Sequence, residues 1–70
     1  MYIVVEIQTN ADGTVGNLVF AYAEKNEAYS KYHSILAAAA ISALPKHAAV
    51  ILQNDGLPLE FRCFEHGGRE

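Results

Sequence analysis

The chain has 70 residues, 51% of them hydrophobic and 19% charged, with a formal net charge of -3 and a single cysteine. This composition excludes disorder, one thiol excludes an intrachain disulfide, and the acidic balance argues against non-specific binding to nucleic acid or to an anionic membrane surface. A single domain of this size lies near the lower limit at which one core holds a fold without disulfides, metals or association, which leaves association as the available support.

Tyr2 to Thr9 alternates, with Ile3, Val5, Ile7 and Thr9 on one face and Tyr2, Val4, Glu6 and Gln8 on the other. That is the period of a half-buried strand. Asn10-Ala11-Asp12-Gly13 supplies turn residues that tolerate positive φ, so the chain is expected to reverse into a second strand from Thr14 to about Tyr22, with a bulge at Gly16-Asn17. From about Glu24 the spacing becomes helical, with Ala28, Tyr29, Tyr32 and Ile35 interleaved among polar residues. Helix propensity stays high through the alanines, and Pro45 is the predicted stop.

His47 to Gln53 alternates as a third strand, and Asn54-Asp55-Gly56 is the strongest turn signal in the chain. A fourth strand is expected from about Leu57 to Glu65, with Pro58 marking an edge strand or a late start. The chain is expected to fray from His66, with residues 67–70 as the C-terminal tail beyond the domain. The expected architecture is a single ββαββ domain over residues 1–66, of the α+β class: one helix on a small antiparallel sheet of two hairpins.

Two patterns imply that this layer is completed by oligomerisation. Ile35 to Leu44 carries no charge on any face, so a helix continuing through it needs burial all round. Strands one, two and three carry apolar side chains on both faces, and one helix cannot cover both. A closed homo-oligomer, most simply a dimer or a dimer-based assembly, is the expected outcome, with contacts between sheets or through the small alanines. No apolar run approaches the roughly 20 residues needed to cross a bilayer. No basic-then-apolar leader is visible, and a cytoplasmic location without membrane association is expected.

Chemistry-bearing residues are sparse. His33, His47 and His66 lack the i, i+3 or i, i+4 spacing of a helical metal site, so no metal and no cofactor are expected. Cys63 is expected to be a buried inert thiol, because a Cys-His nucleophile would need His47 or His66 turned onto it. Glu6 and Gln8 share a strand face and read as a wet sheet face or interface rim rather than as an acid with its orienter. The densest cluster is Tyr29-Ser30-Lys31-Tyr32-His33-Ser34, whose rings, cation and hydroxyls are groups that stack on a base and bind phosphate. The competing reading places Tyr29 and Tyr32 in the core and pairs Lys31 with Glu27 on the surface.

The segments Met1 to Asn10, Tyr32 to Ser42 and His47 to Val50 resemble a group of short uncharacterised proteins encoded in prophages and mobile elements of gut Firmicutes, over most of the chain up to about His66. The resemblance implies a phage setting and carries no catalytic residue. Phages encode small oligomeric anti-defence proteins that sequester nucleotide immune signals, so the setting implies a non-enzymatic sponge for a cyclic nucleotide or an ADP-ribose-type signal, acting in the host cytoplasm. Its expected ligand-binding residues are Tyr29 or Tyr32 as a stacking platform, Lys31, His33, Lys46 and Arg62 as cations, and Ser34 as a donor. The alternative is a phage structural or protein-interaction adaptor. A sponge requires basic and aromatic groups to converge at the interface between protomers, whereas an adaptor leaves an exposed apolar patch after self-assembly.

Overall fold

The computed structural model describes residues 1–66, and the tail expected at 67–70 lies outside them. Its elements are β1 (Tyr2–Thr9), β2 (Val15–Tyr22), α1 (Lys25–Ala40), β3 (Lys46–Gln53) and β4 (Pro58–Glu65). The four strands form one antiparallel sheet in the order β2-β1-β3-β4, so two hairpins meet along their first strands and the helix lies on one face. This is the expected ββαββ layer. The β1–β2 ladder runs without interruption from Tyr2↔Tyr22 to Thr9↔Val15, so Gly16 is an ordinary ladder residue and the expected bulge is absent. The irregularity lies instead at Ile51/Leu52, opposite Pro58 at the start of the edge strand β4. Proline has no N–H to give the ladder, and an edge is where that is tolerated.

Both hairpins close with the same loop. Gly13 N–H donates to Asn10 O at 2.9 Å and Gly56 N–H to Gln53 O at 2.9 Å, while Asn10 and Gln53 donate to the carbonyls of Thr14 and Leu57. Each loop is a turn followed by a left-handed glycine, with φ near 90° at Gly13 and 91° at Gly56. In each, an aspartate carboxylate accepts from the residue after the glycine: Asp12 from Thr14 N–H, Asp55 from Leu57 N–H, both at 3.0 Å. A Cβ at either glycine would meet nothing within 4 Å, so an alanine there is penalised by backbone conformation alone. Gly56→Ala should cost about 1 kcal/mol, visible as a lower denaturation midpoint at unchanged slope.

The core lies between helix and sheet. Val4, Ala49 and Ile51 from the centre of the sheet meet Ala28, Tyr32 and Ile35 from the helix, with Phe20, Tyr22, Tyr29, Leu36 and Leu59 packed around them. The helix buries one stripe, Ala28, Tyr32, Ile35 and Ala39. It ends at Ala40, five residues before the proline expected to stop it. At 16 residues it spans about 24 Å, close to the roughly 27 Å of an eight-residue strand, and a longer helix would overrun its sheet. Ser42 then turns the chain by accepting the Leu44 N–H on its Oγ at 3.1 Å. Ala37, Ala38 and Ala40 are exposed, and Ile41 is 88% exposed.

His66, expected to fray, is tied down. Its N–H donates to Pro45 O at 2.7 Å, its ring Nε2 donates to Ala39 O at 2.7 Å, and the ring stacks on Phe64. It gives the Ala39 carbonyl, in the last helical turn, a second donor beside the Ser42 N–H at 3.2 Å. Losing that bond in His66→Ala should cost roughly 1 kcal/mol in a thermal melt.

Alternation divides the sheet into two faces. Under the helix lie the rows Phe20-Val4-Ile51-Glu60, Leu18-Glu6-Ala49-Arg62 and Gly16-Gln8-His47-Phe64. The opposite face carries Ala21-Ile3-Leu52-Pro58, Val19-Val5-Val50-Phe61, Asn17-Ile7-Ala48-Cys63 and, at one end, Val15-Thr9-Lys46-Glu65. No element of the described chain covers this second face.

Candidate functional site

The residues expected to bind ligand fall into four places. Lys31 and Ser34 point to the β2 side of the helix, where with Tyr22, Glu27 and Ser30 they line an open groove of about 400 Å³. The Lys31 ammonium lies 4.2 Å from the centre of the Phe20 ring, a cation–π contact. Tyr29, Tyr32 and His33 form an aromatic cluster: the Tyr29 and Tyr32 rings meet edge to face at 6.3 Å, and His33 lies 6.0 Å from Tyr29 and 5.4 Å from Tyr32. Tyr32 is only 2% exposed and belongs to the core, which leaves Tyr29 as the available ring.

Arg62 lies on β4, at the other edge of the sheet from β2, with its guanidinium 4.7 Å from the Phe64 ring. Lys46 lies on the uncovered face, opposite Glu65 in the β3–β4 register. Within one copy of the chain the cations therefore do not converge. Burial pushes the Tyr32 hydroxyl above its usual range, and the nearby Glu60 charge adds to this.

Strand pairing assembles a polar group that sequence spacing could not. Gln8 is the β3 register partner of His47, and Glu6 is one step along the same face. One Glu6 oxygen accepts from His47 Nε2 at 2.5 Å and from Gln8 Nε2 at 3.0 Å. His47 is 5% exposed, and its Nδ1 is buried without a partner among the described residues. Burial pushes the Glu6 carboxyl up, but the hydrogen bonds from His47 and Gln8 and the charges of His47 and Lys31 outweigh it and hold the carboxyl below its ordinary value of 4.5. A carboxylate so engaged is an anchor of the fold, and the Lys31 charge acts on it as well. The only signal for this group was the shared face of Glu6 and Gln8, since His47 joins them through a pairing 41 residues away.

A group whose folded pKa is lowered contributes stability above its unfolded pKa and loses that contribution as pH falls through the folded value. The domain should therefore weaken on acidification below about pH 4.5, and Glu6→Gln should flatten that slope in denaturant titrations at stepped pH. Asp12 is also held down, by the Thr14 hydroxyl at 2.7 Å and the Thr14 N–H. It is fully exposed, so solvent screening makes its share small.

Cys63, expected to be buried, is exposed, because β4 is an edge strand and residue 63 falls on the uncovered face. His47 lies under the helix on the other side of the sheet, so the two do not form a nucleophile–base pair. Among the described residues, no group of three His, Cys, Asp or Glu side chains is arranged to hold a metal ion, and no helix is long and apolar enough to cross a membrane. No protein family, curated protein or solved structure matches the chain.

Proposed function

We propose that the protein is a non-enzymatic interaction module that presents the uncovered face of its sheet to another polypeptide. The observation that carries this reading is the composition of that face. Three of its four rows hold no charge, and Val19 and Phe61 are 62% and 73% exposed at its two edges. Soluble monomers rarely leave a contiguous apolar patch of more than a few hundred Å² open to water. A phage adaptor acting in the host cytoplasm, the alternative expected from the sequence, would present such a surface.

A photo-crosslinking amino acid at position 19 or 61 tests the reading in cells. It should give a discrete crosslinked product of defined mass, while the same probe at Ser30 on the helix should not. Absence of any product from both sheet positions would remove the reading.

The groove beside Lys31 favours a second reading, sequestration of a nucleotide-type anion, because a cation, two serine hydroxyls and the Tyr22 ring meet there. Glu27 shares that groove and Glu6 draws on the same ammonium, so the site offers an anion little net charge. A ligand present at one hundred times its dissociation constant stabilises the fold by about 2.7 kcal/mol. Thermal melts with cyclic dinucleotides, cyclic oligonucleotides and ADP-ribose derivatives should show that rise, and Lys31→Ala should abolish it. A flat panel at millimolar ligand would end this second reading.

A further inference from the structure

We infer that the partner of the uncovered sheet face is a second copy of this chain, the two sheets packing face to face about a two-fold axis; this rests on the reading of that face as a docking surface. The area suffices. Four strands about 4.8 Å apart, each eight residues long at about 3.4 Å per residue, present a plane of roughly 500 Å². Two such planes bury roughly 1,000 Å², the lower bound for a biological interface.

The chemistry also suits a copy of itself. In a two-fold contact the same patch meets itself, so it must be free of unmatched charge. The centre is Ile3, Val5, Val50 and Leu52, flanked by Val19 and Phe61, and the charges on this face, Lys46 and Glu65, stand side by side in the row at one end. β-branched and aromatic side chains on a twisted sheet interdigitate with a like sheet at about 10 Å separation, the arrangement of an aligned sandwich. Each copy would then be a half-sandwich, with helices on the two outer surfaces and the second core that a 70-residue chain lacks alone.

Pairing through the free β2 edge is the competing geometry. β2 has no charge, proline or bulge to blunt its edge, unlike β4 with Pro58, Glu60, Arg62 and Glu65. Edge pairing would extend the sheet and leave its apolar face still open, so it cannot replace the face-to-face contact.

Sedimentation equilibrium of the purified protein at micromolar concentration should give twice the 7.6 kDa chain mass. Val19→Lys and Phe61→Lys, at side chains already exposed in the single copy, should each give the chain mass with an unchanged far-UV spectrum, and Ala40→Glu on the helix should leave the doubled mass intact. Cys63 on the same face supplies a readout that needs no variant. Its reaction with a thiol reagent should slow at least several-fold as protein concentration rises through the association range. A parent of single-chain mass, lysine variants that keep the doubled mass, or a thiol rate independent of concentration would each overturn the proposal. A monomeric parent whose position 19 still crosslinks to a different polypeptide in cells overturns self-association alone, whereas a monomeric parent with no crosslink overturns the docking surface as well.

Discussion

Tyr32→Ala should leave the domain largely unfolded at room temperature. The ring is 2% exposed and is the largest side chain in the core, wedged between the helix and the Val4–Ile51 pair of the central strands. Truncating a buried aromatic removes its transfer free energy and opens a cavity, together about 3–5 kcal/mol. A single core of this size rarely supplies more than about 3–5 kcal/mol in all, so the loss matches the whole stability of the fold. Circular dichroism should show the loss of the cooperative melt. Tyr32→Phe, which keeps the ring, should retain it. The same side chain sets an alkaline limit: its raised pKa means stability is complete below the ordinary tyrosine value near 10.0 and declines as pH rises through the folded value. Tyr32→Phe should extend the stable range upward, and a variant that melts no differently at high pH would show that the hydroxyl does not titrate within the fold.

Glutamate at position 39 and glutamate at position 40 should have opposite fates. Ala39 is fully buried against the sheet, while Ala40, one residue on, is exposed. A carboxylate forced into the core at position 39 must lose its hydration or its charge, with a penalty of several kcal/mol in either case. At position 40 the side chain extends into water, and the effect should stay within about 0.5 kcal/mol. Denaturant titration of the pair therefore reads which face of the alanine run carries the fold. Equal midpoints for the two variants would mean that the helix is rotated from the orientation described above.

The order and type of all four strands and the helix were legible in the residues, with strand ends within one position of those observed. Strict alternation in Tyr2 to Thr9 and the paired Asp-Gly turns are local signals, and local signals suffice where propensity, periodicity and turn chemistry agree. The helix end was misplaced because it depends on the length of the sheet beneath, on Ser42 folding back on the backbone and on His66 arriving from the far end of the chain at the Ala39 carbonyl. The burial of Cys63 was misjudged for a related reason, since strand order alone decides that β4 is an edge.

The candidate site divides along the same line. Tyr29, Lys31, Tyr32, His33 and Ser34 are neighbours in sequence, yet successive positions on a helix point about 100° apart. The fold accordingly sends Tyr32 into the core and Lys31 toward β2, and it puts Arg62 on the opposite edge of the sheet and Lys46 on its other face. What the sequence by itself determined is the ββαββ layer and the excess of apolar side chains over what one helix can bury, because both follow from periodicity along the chain. Only the tertiary structure decided where that excess lies. The β1–β3 register, set between residues more than 36 positions apart, joins Glu6 to His47 beneath the helix and gathers Val19, Val5, Val50 and Phe61 into one open row, and no local pattern encodes which strands become neighbours.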